Sequence, residues 1–148
     1  MGVPILNHSP LSHIQVGAAV RVPIQSFADI VMARQECRRM ASALGFPNTT
    51  LTIMTAALSE VARNIVEHAK EGEISITPIG RGPLRGLQIV ARDRGPGIAD
   101  LETAMRDGYS TSQSLGIGLP GARRLMDQFD ISSVVGQGTT ITMTKWIG

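Results

Sequence analysis

The stretch SLGIGLPGARRL, residues 114–125, carries glycines at 116, 118 and 121 in the spacing G-x-G-x-x-G. A dinucleotide-binding unit with that fingerprint also needs a strand directly before it, a helix directly after it and an acidic residue about 20 positions further on to hold a ribose. Only the helix is in place. MRDGYSTSQS precedes the glycines, small and polar without alternation, and TTITMT occupies the distance where the acid belongs. What remains is physical: glycines opening a helix let backbone N–H groups approach phosphate oxygens, where the helix dipole favours negative charge.

Around this stretch the chain alternates between helical and strand patterns. Residues 1–12, MGVPILNHSPLS, mix Pro, Asn and Ser without period and read as a disordered lead-in to one domain over residues 13–148. HIQVGAAVRVPI alternates well enough for an edge strand, with Pro23 near its end. Ser26 then caps a helix in which Ile30, Ala33, Cys37, Met40 and Leu44 recur at helical spacing up to Gly45. Its other side shows Arg34, Arg38 and Arg39, either a solvated face or a docking surface for an acidic partner. A second helix starts near Thr49 or Thr50, buries Met54, Leu58, Val61 and Ile65, and stops at Gly72.

Two strands follow, EISITPIG and LQIVARD, joined by the hairpin loop RGPLRG. Next come a short helix, ADLETAMRDG, the polar loop, the helix opened by the glycines, and the strands ISSVVG and TTITMTKWI around the turn GQG. Helices bunched between runs of antiparallel strands predict an α+β fold: a two-layer sandwich of one mixed, mostly antiparallel sheet with helices on one face.

Composition narrows the function. At 148 residues the chain makes one domain, large enough to exclude water from a small-molecule site. Fourteen Lys+Arg against 12 Asp+Glu and 3% aromatic residues leave no stacking platform or basic stripe, so no nucleic-acid partner is expected. The lone Cys37 forms no internal disulfide, and no Cys/His pairs stand at zinc spacing; both suit a reducing compartment, the cytoplasm. No apolar run approaches the roughly 20 residues that span a bilayer, and no signal peptide is expected.

Four features can carry chemistry. Glu60, Asn64 and His68 stand at i, i+4 and i+8 of the second helix and would share one stripe. That stripe is either a solvated flank or a site in which Asn64 gives Mg²⁺ an oxygen ligand and Glu60, about 6 Å away along the axis, takes or orients a hydroxyl proton. Asp93 ends a strand before the glycine turn of Gly95 and Gly97; it is either an ordinary turn initiator or an acceptor for the exocyclic amine of adenine. Ser110, Thr111, Ser112 and Ser114 offer hydroxyls in a loop long enough to act as a lid, and Thr139 opens the last strand. Arg123 and Arg124 either reach phosphates or solvate the helix.

The order of these features resembles the GHKL ATPase family, which includes gyrase, histidine kinases and bacterial anti-sigma serine kinases, over residues 28–146. The resemblance implies the Bergerat ATP-binding fold with ATP and Mg²⁺ as cofactors. It implies further that Glu60 is catalytic, that Asn64 binds Mg²⁺ and that Asp93 binds the adenine amine. Gly95 and Gly97 would lie by the base, with Thr139 assisting there; Ser110, Thr111, Gly116, Gly118 and Leu119 would line the phosphate side.

LSEVARNIVEHA and the run from MRDGYSTSQS to TMTKW are similar, within the family, to the switch serine/threonine kinases of the stressosome. That likeness implies phosphorylation of a STAS-domain protein and, once released, activation of a PP2C-type phosphatase or its regulatory domain. Arg63 and the Lys-Trp ending favour it. His68 instead matches the Asn-x-x-x-His pattern of the anti-sigma kinases, which keeps open an anti-sigma factor that binds a sigma factor as a nucleotide-dependent switch.

Overall fold

Alternating apolar residues in the strands and helically spaced ones in two long helices can bury their faces only against each other, and the structure is built on that contact. The computed structural model describes residues 5–6, 13–98, 104–105 and 117–147. In chain order the elements are β1 (Ile5–Leu6), β2 (Ile14–Gln15), β3 (Val20–Ile24), α1 (Phe27–Leu44) and α2 (Asn48–Asn64), which runs into a π-helical turn (Ile65–Ala69). Then follow β4 (Gly72–Arg81), β5 (Leu84–Asp93), α3 (Gly118–Leu125), β6 (Gln128–Val134) and β7 (Gly138–Trp146).

The strands form one sheet in the order β1-β6-β7-β5-β4-β2, with β3 also paired to β4. Every described pairing is antiparallel. Along β5 the inward residues Leu87, Ile89 and Ala91 are buried while Gln88 and Arg92 turn to the other face. These inward residues join Ile74, Ile76, Ile141 and Met143 in one core with Ile30, Ala33 and Cys37 of α1 and Met54, Leu58 and Val61 of α2. Each large aliphatic side chain buried there stabilises the fold by about 1.5–3 kcal/mol. The expected α+β sandwich is therefore the observed one.

Local chemistry sets the ends of α1. Asp29, three residues into the helix, accepts the Ser26 amide at 3.1 Å, and Gly45 ends the helix at φ 96°, its N–H reaching Ser42 O at 3.0 Å. Inside α1, burial pushes the Cys37 thiol up to about 12, so it is a neutral core hydrophobe at neutral pH. A thiol-specific reagent should leave the native protein unlabelled and modify it only on denaturation; rapid native labelling would show that α1 lifts off the sheet.

Several expectations are corrected. Within the lead-in, Ile5 and Leu6 pair with Ile131 and Asp130 along the β6 edge of the sheet, and the other residues of 1–12 lie outside the described ones. The first edge strand is split into β2 and β3 on either side of Gly17, both along β4. Pro23 is tolerated there because that edge makes no further ladder bonds. Helix α2 begins at Asn48, within a residue of the expected start, behind Pro47 at φ −63°. The loop RGPLRG shrinks to the two residues Gly82 and Pro83, because Gly82 at φ 58° allows a tight hairpin and Arg81 pairs with Leu84. Among the described residues no helix is long and apolar enough to cross a membrane.

The largest difference is at the end of α2. Its regular geometry stops at Asn64, a π-helical turn follows, and Lys70 closes it with an N–H bond to Ile65 O at 2.8 Å and φ 73°. A wider turn advances less per residue, so the i+8 position no longer stacks over i and i+4. His68 is exposed, and the expected stripe ends at Asn64.

Candidate active site

Two loops and two helix ends meet at one end of the sheet. Asp93, the last residue of β5, spends one oxygen on the backbone: Oδ1 accepts the N–H of Gly95 at 2.9 Å and of Thr139 at 3.2 Å. Oδ2 has no partner among the described residues. The turn beyond Asp93 is gripped on two sides. A Cβ on Gly95 would stand 2.6 Å from Cβ of Ala69 in the π-helical turn, and one on Gly97, at φ 77°, 2.5 Å from Val134 O.

The β6–β7 hairpin supplies the second wall. Gly136 N–H donates to Pro96 O at 2.8 Å, and the Ile98 N–H donates to Ser133 Oγ at 2.6 Å. The Ser133 and Thr139 hydroxyls lie 2.9 Å apart and buried, so the Thr139 side chain steadies the hairpin while its N–H orients Asp93. A Cβ on Gly138 would run into Asp93 O, which is why a glycine opens β7. Ser133 lines the candidate site without being singled out by the sequence pattern: in a strand of alternating burial it looks like any half-polar position.

The contact of Gly97 makes a prediction. Gly97→Ala should destabilise the protein by more than the ~1 kcal/mol that a left-handed backbone alone costs a residue with a Cβ. Gly45→Ala is the control, since at φ 96° it meets nothing within 4 Å. Thermal melts of the two variants check this; equal losses would show that the hairpin yields freely.

The other half of the site lies where α2 meets α3. Glu60 is buried at 8% exposure, and both of its oxygens are held. Oε2 pairs with Nη1 of Arg63 at 2.8 Å, and Oε1 accepts the N–H of Gly118 at 3.0 Å. Gly118 is the first residue of α3 and adopts φ 69°. A carboxylate at that N-terminus is favoured by the helix dipole, and the observed bond shows that the Gly118 N–H points to where an anion sits. Asn64, one α-helical turn beyond Glu60, is half-buried, and its amide has no partner among the described residues. Leu119 packs against the core beside them. Ser110, Thr111 and Gly116, together with the loop read as a lid, lie outside the described residues.

Run through Glu60, Asn64 and Ala69, α2 and its π turn therefore connect the two halves, one reaching Gly118 and the other backing Gly95. Arg34 and Arg38 of α1 are exposed, and Arg39 pairs with Glu36 at 2.6 Å.

An acceptor oxygen at a strand end, a glycine turn that leaves room beside it, and a helix start whose N–H faces a carboxylate are features that a nucleotide site on an α+β sandwich uses. The chain belongs to the histidine kinase-like ATPase domain family, whose profile matches residues 26–145. It is 48% identical over 126 residues to the serine/threonine-protein kinase RsbT of Bacillus subtilis, covering 85% of this chain and 95% of the relative. It is also 35% identical over 96 residues to an anti-sigma F factor of Caldanaerobacter subterraneus, covering 62% and 67% of the two chains. An anti-sigma F factor of Geobacillus stearothermophilus shares 28% identity across 90% of each chain. The chain is a protein serine/threonine kinase that uses ATP.

Proposed function

We propose that the chain is a Mg-ATP-dependent kinase of a bacterial partner-switching stress pathway, acting in the cytoplasm. It phosphorylates a serine or threonine of a STAS-domain protein and, once released from that partner, activates a PP2C-type phosphatase. The observation that carries this reading is the Glu60–Gly118 contact, which sets a buried carboxylate beside the helix start that phosphates would approach. The roles divide accordingly. Asp93 Oδ2 accepts the exocyclic amine of adenine, with Gly95 and Gly97 leaving room for the ring. Gly118, with Gly116 and Leu119, takes the phosphate side, and Ser110 and Thr111 add hydroxyl donors.

Asn64 fits a Mg²⁺ ligand, because its amide oxygen has no described protein partner and this cation takes one or two protein oxygens beside phosphate oxygens. When bound, the cation supplies charge neutralisation at the transferring phosphoryl group. Glu60 accepts or orients the proton of the attacking hydroxyl, so that oxygen bonds to phosphorus as the bond to the ADP oxygen breaks. Most of the acceleration is positioning, which the packing of α3 against α2 suits.

The test is a pull-down from native extract with and without ATP, followed by transfer of labelled γ-phosphate to the captured STAS protein. Phosphoserine or phosphothreonine on it with ADP as product supports the kinase. ATP-dependent capture of a sigma factor without transfer supports the second reading, the anti-sigma binding switch that the anti-sigma F relatives favour.

A further inference from the structure

Arg63 sits one turn after Glu60 on α2 and is partly exposed, its side chain at 30%. It donates to Oε2 of Glu60 at 2.8 Å while the Gly118 N–H holds Oε1 at 3.0 Å. These two donors are unequal in permanence. Arg63 lies on the same rigid helix as Glu60, at i+3, whereas Gly118 belongs to a different element and its N–H is the type of donor that phosphate oxygens take. An anion arriving at α3 competes for the Gly118 N–H and removes one tether from Glu60. The carboxylate is then oriented by Arg63 alone.

We propose that Arg63 is a positioning residue for phosphoryl transfer: it holds one oxygen of Glu60 so that the other, given up by Gly118, faces the incoming hydroxyl. The inference rests on Glu60 being the base. An arginine suits the task because its planar guanidinium keeps direction as well as charge at a carboxylate. Without it, the Glu60 side chain regains its rotamers, and misalignment of a base by a fraction of an ångström lowers the rate without touching either substrate's binding site.

A double-mutant cycle in single-turnover transfer to the STAS partner tests this, with ATP and partner affinities measured on each variant. Arg63→Ala should slow transfer about tenfold with both affinities unchanged, and Arg63→Lys, which keeps a donor, should recover part of the loss. In a Glu60→Gln background, Arg63→Ala should cost nothing further. Where Arg63→Ala does not fold, Arg63→Gln, uncharged and of similar reach, runs the same cycle. An equal loss in both backgrounds overturns the proposal, because Arg63 then acts on phosphate or partner directly, as does a wild-type rate for Arg63→Ala. A wild-type rate for Glu60→Gln alone removes the base assignment itself, and the single variant separates that failure from the failure of Arg63.

Discussion

Glu60→Gln lowers single-turnover phosphoryl transfer by ~10²–10⁴-fold, the usual range for removing a general base. The lower end of that range is expected, because phosphoryl-transfer transition states are loose and the hydroxyl proton leaves late. The substitution is well suited to the geometry. Glutamine has the same length and high helix propensity, and its carbonyl can still accept the Gly118 N–H that Glu60 accepts at 3.0 Å. The group facing Arg63 becomes an NH₂ donor, so the charge and the hydrogen bond there are both lost, and the Arg63 side chain, 30% exposed, can turn its guanidinium to water. Thermal stability, ATP affinity and partner affinity should therefore stay near wild type while the chemical step fails. Transfer at the wild-type rate would reduce Glu60 to a helix–helix clamp.

Asp93→Asn should weaken ATP binding by ~1–3 kcal/mol, or about 5–150-fold, with little change in stability. The two oxygens of Asp93 have separate duties. Oδ1 holds the Gly95 and Thr139 amides, and an asparagine carbonyl can hold both in its place. Oδ2 becomes an NH₂ group, which would point a donor at the amine of adenine where an acceptor is needed. The same change should soften the preference for ATP over GTP, since guanine presents a carbonyl at that position. Calorimetry with both nucleotides reads the two effects together. Unchanged ATP affinity would mean that Asp93 only shapes the turn.

Asp93 was recognisable in the sequence because a strand pattern ending in Asp before Gly-Pro-Gly is a local event, and Gly95 and Gly97 follow within four residues. Which of its oxygens remains available was not legible, because Thr139, which takes a share of Oδ1, is 46 positions away. Ser133 was missed for the same reason: its job is to accept the N–H of Ile98, 35 positions away, and nothing in an alternating strand announces that.

The fold class, the two long helices with their buried faces, and the ends of α1 at Ser26 and Gly45 are legible in the residues alone. Each of these follows from side-chain period or from hydrogen bonds between near neighbours, and such interactions are written in consecutive residues. Long-range packing set the rest. The π-helical turn at Ile65–Ala69 ended the stripe at Asn64 and left His68 exposed, an outcome that uniform α-helical spacing cannot anticipate. The pairing of Ile5 and Leu6 with β6 is not announced by the composition around them, because an open sheet edge will take any strand that satisfies its N–H and C=O groups. The Glu60–Gly118 bond, across 58 positions, joined two motifs that were separate on the chain. Its geometry depends on how α2 and α3 pack together, and packing is a property of the folded core rather than of either segment.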